Sequence, residues 1–406
     1  PLTVAAKNKH PHLSFFTTQI DQVPALPDFF PEAVVMKNML DYSYDIANLM
    51  ESLRPCLKDN SRVVITVSNP LWEPILSAAT YFGYRVPDCP RNYITPADME
   101  NILALQGFDL IERGTAVAVV KNIPFFGSFL NAILAEMPLF KHLGSLHYYV
   151  ARPKINREAL SCSVVIPCHN EEGNVEECIR RVPNMGIRTE IVVVDDGSTD
   201  QTATLVRRVM EKDSRVRLIQ LRPNAGKANA VRTGFNVATG DVLMILDADM
   251  TVEPEDLPRF FSPIQNGSAD FVNGTRFVYP MEGAAMRAAN NLGNRLFCYV
   301  TGKIMRQRVS DTLCGTKVML KRDFVRMPVY QKERWGDFSL LFGAARLKLK
   351  ILEVPIHYKE RRAGVSKMRA FREAWLFLAA CLDAWKLLRW KVKPGLWLDV
   401  NQTITR

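Results

Sequence analysis

The sequence predicts an α/β protein built from two such layers in tandem, a smaller one within residues 1–122 and a larger, doubly wound one over 161–370. Three observations predict this. In both regions short apolar runs alternate with amphipathic stretches of helical period, the pattern of strands joined by crossover helices. In the larger region the first four strand candidates are almost wholly apolar, as parallel strands covered on both faces must be. Three of them stop abruptly in polar residues: SVVIP runs into CHNEE, IVVV into DDGSTD, and LMIL into DADMT.

The first region reads in order as a buried strand at AVVMKNM, an amphipathic helix at DIANLMESLRPCL and a second strand at RVVITVS. A helix at ADMENILALQGF and one or two terminal strands in FDLIERGTAVAVV follow. Residues 123–160 break the alternation with an apolar helical stretch and a proline-bearing exit, and read as a connector. The second region then sets strands at SVVIP, EIVVVDD, VRLIQL, DVLMILDAD and DFVNGTRF, with helices at VEECIRRV, TATLVRRVMEK and GKANAVRTGFNVA. Residues 371–406 form an amphipathic tail. Its apolar run AWLFLAACL is too short to span a bilayer, which takes about 20 residues. Trp375, Trp385, Trp390 and Trp397 with flanking Lys/Arg suit an interfacial helix, and a helix packed on the core is the alternative.

Composition narrows the classes. The 406 residues, 48% apolar, suffice for two or three domains. The chain opens on Pro1 without the pattern of a signal peptide, and its start reads as a cut. Eight cysteines show no CxxC pair and no zinc spacing, which reads as buried thiols in a reducing compartment. The net charge of +10 is uneven: residues 303–372 hold 18 Lys/Arg against 6 Asp/Glu. Such a block attracts a phosphate-bearing substrate or an acidic lipid surface. No helix-turn-helix, zinc-finger or RNP pattern accompanies it, so no nucleic-acid partner is expected.

In an open parallel sheet, ligands bind beyond the carboxyl ends of the strands at a topological switch point. Several carboxylates converging there repel one another unless a cation joins them. A hard divalent ion, held by one or two carboxylates plus substrate phosphates, resolves the repulsion. Asp247 and Asp249, two apart on an extended strand, would face the same way and hold Mg2+ or Mn2+. Asp195 and Asp196, ending another strand, are placed for the base and ribose of a nucleotide.

These segments, with GTRF, DTLCGTKVM and EVPIHYKERRAGVSKM after them, resemble the family 2 glycosyltransferases over about residues 160–370. The last block resembles the branch of dolichyl-phosphate mannose synthase and the polyprenyl-phosphate glycosyltransferases. The resemblance implies a GT-A fold, that is, a Rossmann-like nucleotide-diphospho-sugar transferase. It implies inverting transfer of a hexose from a nucleotide sugar of the GDP-mannose or UDP-glucose type to a polyprenyl or dolichyl phosphate. It places Pro167, Asn170, Glu171, Asp195 and Asp196 on the nucleotide, with His169 where relatives often have an aromatic. Asp247 and Asp249 become the metal pair, Asp249 also serving catalysis, and Thr251 stands where some relatives have a third ligand. Lys227 and Arg232 fall where the family pattern also has basic residues, Lys227 being placed on the nucleotide sugar and a plain basic helix face being the alternative, and Arg276 matches a diphosphate-holding position. Arg361, Ser366 and Lys367 match the diphosphate and lipid-phosphate clamp, with Arg361 in the catalytic set. Asp337 is the acidic candidate on the acceptor side, although many relatives carry glutamate where this chain has Ser339. The expected setting is the cytoplasmic face of a membrane, with the chain peripheral to it. The same donor chemistry on a hydroxyl acceptor, and a non-catalytic nucleotide-sugar-binding scaffold, are the alternatives.

Residues 28–122 resemble the second half of a class I methyltransferase, without the Gly-x-Gly loop and the acidic strand end that hold S-adenosylmethionine. No methyl transfer is expected of the chain as it stands.

Overall fold

The computed structural model describes residues 30–84, 91–116, 144–279, 288–330 and 336–357, together with residues 10, 12–14, 23, 381–382, 385, 388 and 397–399. The chain divides into two compact units, Pro1–Lys154 and Ile155–Arg406.

The first unit carries strands β1 (Ala33–Lys37), β2 (Arg62–Ser68), β3 (Phe108–Ala116) and β4 (Leu146–Pro153) in the order β1-β2-β4-β3. β1 and β2 are parallel, and β4 runs antiparallel between β2 and β3. Helices α1 (Ile46–Leu53), α2 (Glu73–Tyr81) and α3 (Pro96–Leu105) connect them. Both buried helices start where the sequence supplies a cap. Asp45 accepts from the Asn48 amide at 2.9 Å, and Thr95 and Asp98 cap each other's amides reciprocally before α3. Leu49, Met50, Met99 and Leu103 then meet Val63, Ile65, Val67 and Tyr149 in one core.

Three expectations are corrected here. β1 was expected to be buried, but it is an edge strand with only Met36 in the core. Residues 146–153, assigned to a connector, form β4, the strand that joins β2 to β3. Its partners lie far away in sequence, so no local pattern announces the pairing. Helix α2, which was not expected, buries none of its residues among those described.

The second unit is a seven-stranded sheet in the order β12-β9-β10-β8-β5-β6-β7. Its strands are β5 (Cys162–Cys168), β6 (Thr189–Asp195), β7 (Val216–Gln220), β8 (Val242–Ile245), β9 (Phe271–Thr275), β10 (Lys317–Leu320) and β12 (Ile351–Pro355). The crossover helices are α4 (Val175–Arg180), α5 (Thr202–Met210), α6 (Lys227–Val237) and α7 (Leu257–Gln265). α8 (Ala288–Met305), α9 (Lys321–Arg326) and α10 (Asp337–Arg346) follow, and Pro328–Tyr330 (β11) pairs with Trp397–Asp399 (β13). β8, β5, β6 and β7 are mutually parallel. Buried aliphatics line both faces of the sheet, Val164, Ile166 and Met244 on one and Val165, Val194 and Ile245 on the other. That is the arrangement their apolar runs predict.

Two features of this sheet position the site. From β5 the chain steps outward through β6 and β7, then crosses back to place β8 on the other side of β5. The switch point therefore lies between the carboxyl ends of β5 and β8, where CHNEE and DADMT begin. β10 is antiparallel to both β8 and β9, so its N-terminal end reaches the same edge of the sheet. Among the described residues, no helix is long and apolar enough to cross a membrane.

Candidate active site

The carboxylates at the end of β8 do not arise from a continuous strand. The ladder to β5 closes with the Leu246 amide on Val165 O at 3.0 Å, and the chain then turns, with Met250 at φ +51°. Asp247 and Asp249 thus sit on a turn and not on one pleat as expected. Asp249 is buried and accepts from the Thr251 amide at 3.2 Å and the Thr251 hydroxyl at 2.9 Å. Thr251 therefore orients Asp249 in this structure. Asp247 is a quarter exposed and takes the Lys227 ammonium on both oxygens, Nζ lying 2.7 Å from Oδ1 and 2.9 Å from Oδ2.

Lys227 is the first residue of α6. Burial alone would push its ammonium down, but Asp247, Asp337 and Asp249 together outweigh that and raise it well above the ordinary lysine value. The same two strand-end carboxylates help burial to push the Cys178 thiol up. Gly315 closes the other side. Continuing the register in which Val318 faces Met244 sets Gly315 opposite Asp247, and a Cβ there would lie 2.2 Å from Asp247 Oδ2. Only a residue without a side chain leaves that carboxylate its place.

The residues expected on the nucleotide side gather at the ends of β5 and β6. Pro167 stands opposite Val194 in the register of the two strands. Asn170, at φ +57°, donates its amide to Ser198 Oγ and accepts from the Thr199 amide, both at 2.9 Å. Glu171 donates its amide to Thr202 Oγ1 at 2.9 Å and accepts from Asn174 Nδ2 at 2.9 Å. These bonds tie the two polar loops together. Asp195 accepts from the Ser198 amide and from Gln220 Nε2 at 3.0 and 3.1 Å. Asp196 accepts from the Ala225 and Gly226 amides, each at 2.8 Å. His169 Nδ1 lies 2.8 Å from Asp196 O.

Two expected cations and acids are already paired. Arg276 grips Asp311 bidentately, Nε to Oδ2 at 2.6 Å and Nη2 to Oδ1 at 2.8 Å, with Asp311 fully buried. Asp337, at the start of α10, accepts from the fully buried Lys317 at 3.1 Å, and Lys317 also donates to Cys314 O. Asp311, Gly315 and Lys317 were not singled out from the sequence. Their signal was the block SDTLCGTK, visible as a motif but silent about its partners. Arg361, Ser366 and Lys367 lie outside the described residues. Asp247, Lys227 and Asp249 are thus brought together electrostatically with Asp337, while Asp195, Asp196, Asn170 and Glu171 form the neighbouring loops.

Among the described residues no three His, Cys, Asp or Glu side chains could enclose a metal by themselves. Two carboxylates at an open strand end fit an ion that completes its shell with water and phosphate oxygens, as Mg2+ does.

Residues 163–326 match the sequence model of the family described as Glycosyl transferase family 2. They are a glycosyltransferase family 2 domain. The mixed sheet of this unit, parallel around the switch point, is the GT-A arrangement expected of it. The chain is 33% identical over 215 residues to an undecaprenyl-phosphate 4-deoxy-4-formamido-L-arabinose transferase of Enterobacter sp. (strain 638), a match covering 52% of this chain and 63% of that protein. The chain thus spans less than two thirds of that relative's length. Among solved structures it is similar to glucosyl-3-phosphoglycerate synthase from Mycobacterium tuberculosis. The complex with phosphoglyceric acid is 21% identical at a TM-score of 0.42, and that with Mn2+, UDP and glucosyl-3-phosphoglycerate 21% at 0.43. Each match covers 55% of this chain and 80% of the other.

Proposed function

We propose that the glycosyltransferase domain moves a hexose, with inversion, from a nucleotide sugar to a polyprenyl phosphate, using Mg2+ or Mn2+. The observation that carries this reading is the pair Asp247 and Asp249 at the carboxyl end of β8, beside Lys227 at the switch point of a family 2 domain. The ion would be held by Asp247 and Asp249 and would supply positive charge to the departing diphosphate. Lys227 adds a second cation to the same place, and Arg361, Ser366 and Lys367 are assigned to the phosphates by the resemblance alone. Pro167, Asn170, Glu171, Asp195 and Asp196 would shape the base and ribose pocket, with Arg276 holding the floor through Asp311.

Similarity to a relative named for undecaprenyl phosphate supports the acceptor class, and so does the basic block over 303–372. A phosphate acceptor is ionised at pH 7 and needs positioning more than deprotonation. We propose a cytoplasmic, membrane-peripheral setting on the same grounds. The first unit we read as a methyltransferase-like remnant. Its parallel pair β1-β2, followed by an antiparallel strand inserted beside β2, supports that assignment.

The test is transfer from UDP- and GDP-sugars to a polyprenyl phosphate, with and without chelator, beside a thermal melt. Loss of one preorganised charge-stabilising contact costs about 100–1000-fold in rate, and Asp249→Asn should fall at least that far while melting near wild type. Chelator-insensitive transfer by a fully active Asp249→Asn would refute the reading.

A further inference from the structure

We infer that Lys227 is the resident counter-ion of the metal site, a cation that a divalent ion must displace from Asp247 in order to bind. The inference rests on Asp247 and Asp249 being the metal pair, and adds a competitor built into the fold.

The contact is bidentate, with the ammonium shared by both oxygens of Asp247 at 2.7 and 2.9 Å. A divalent ion on the same oxygens would come within about 2.0–2.6 Å of them, and two cations so close on one carboxylate repel. The lysine is also held where it is. Gly226, at φ +88°, turns the chain into α6 so that Lys227 opens the helix. Both amides before it, Ala225 and Gly226, donate to the buried carboxylate of Asp196, and Asn224 Nδ2 donates to Asp196 O at 2.9 Å. On the far side, a Cβ on Gly315 would stand 3.0 Å from Lys227 Nζ. An ordinary surface lysine pairs loosely and contributes little. This one is anchored from behind by the Asp196 carboxylate and closely approached by Gly315 on β10's leading turn.

Two consequences follow. Without metal, Lys227 compensates carboxylates that would otherwise repel each other. With metal alone, binding must break the Lys227–Asp247 pair and strand the ammonium. When a nucleoside diphosphate arrives with the ion, the freed ammonium gains a new anionic partner. Asp196 is then a positioning residue for Lys227 as well as part of the nucleotide-side loops.

The experiment measures Mn2+ binding to the full chain, by the electron paramagnetic resonance signal of free Mn2+, in the absence of nucleotide. Wild type, Lys227→Met, Lys227→Arg and Asp249→Asn are compared. Removing a charge-assisted contact that competes with the ion should tighten Mn2+ binding by about tenfold or more in Lys227→Met. Lys227→Arg, which keeps a cation on Asp247, should bind no more tightly than wild type. Thermal melts give the second readout. In EDTA, Lys227→Met should melt below wild type, and Mn2+ should raise its melting temperature by more than it raises wild type's. Mn2+ affinity in Lys227→Met equal to or weaker than wild type, with Asp249→Asn abolishing binding, would overturn the counter-ion role and leave the metal pair standing. Absence of Mn2+ binding by wild type and Lys227→Met alike, even with UDP or GDP added, would overturn the metal pair and the counter-ion role together.

Discussion

Substituting Gly315 by alanine tests the site from its least conspicuous wall. The added methyl carbon would lie 2.2 Å from Asp247 Oδ2 and 3.0 Å from both Asp247 Cγ and Lys227 Nζ. Non-bonded heavy atoms pack best at about 3.5–4.0 Å, so something must retreat by roughly 1 Å. The backbone is poorly placed to yield, because β10 begins two residues later and is paired on both sides, to β8 and to β9. The quarter-exposed carboxylate of Asp247 yields instead, and carries its Lys227 contact with it. A misplacement of about 1 Å at a reacting centre can cost about 100-fold in rate, and that is the expected loss of sugar transfer in Gly315→Ala. Overpacking costs about 1–3 kcal/mol in a closed core; at this half-open position the low end applies, and a domain of this size then melts about 2–4 °C lower. Steady-state transfer, Mn2+ affinity and a melt of the same preparation make the measurement. Wild-type transfer with wild-type Mn2+ affinity would refute the claim that Asp247 must occupy this place. A fall in melting temperature of more than about 10 °C would refute it differently, by showing that β10 and not the carboxylate gives way.

Two further outcomes are expected. Asp311→Asn leaves the Arg276 guanidinium, itself only 11% exposed, without its buried partner, and should cost about 3 kcal/mol in a urea titration; a loss below about 1 kcal/mol would mean that Arg276 re-pairs elsewhere. Asp241, which accepts from the Ser161 hydroxyl at 2.6 Å and the Ser161 amide at 2.9 Å, is held below the ordinary 3.8, mainly by those bonds. A depressed folded value means that its contribution is present above about pH 4 and is lost as pH falls through the folded value. Melting temperatures of wild type and Asp241→Asn should therefore converge on acidification below about pH 4, and a gap that widens there would reverse the sign.

How much of this was readable in the chain depends on whether a signal is local. The strands of the second unit announce themselves because VVIP, IVVV and VLMI are buried on both faces, and no other backbone use of such runs competes. The Thr95–Asp98 cap is equally local. What the chain concealed are pairings between distant segments. β4 joins residues near 150 to residues near 65 and 110, and LHYYVARP contains nothing that selects those partners. β10 was legible only as the motif DTLCGTKVM, because its antiparallel sense follows from where the chain returns to the sheet. The proposed metal pair, Asp247 and Asp249, was read with the wrong local geometry. A strand would have set both carboxylates on one pleat, whereas a turn closed by Met250 sets one toward Lys227 and the other onto Thr251.

The pairing least visible from sequence bears most on the chemistry. Asp337 was the acid available to serve as a base toward an acceptor hydroxyl. Its carboxylate is buried and bonded to Lys317, an ammonium with no exposure at all, and its charge also acts on Lys227. A general base must lie within hydrogen-bond reach of the proton it takes, and the buried Asp337 spends its Oδ1 on Lys317 instead. Asp337 is better suited to fixing charge: it holds Lys317 under the Cys314 carbonyl, steadies the turn that presents Gly315 to Asp247, and keeps Lys227 protonated. Such an arrangement suits the acceptor proposed above, a phosphate, which arrives already ionised.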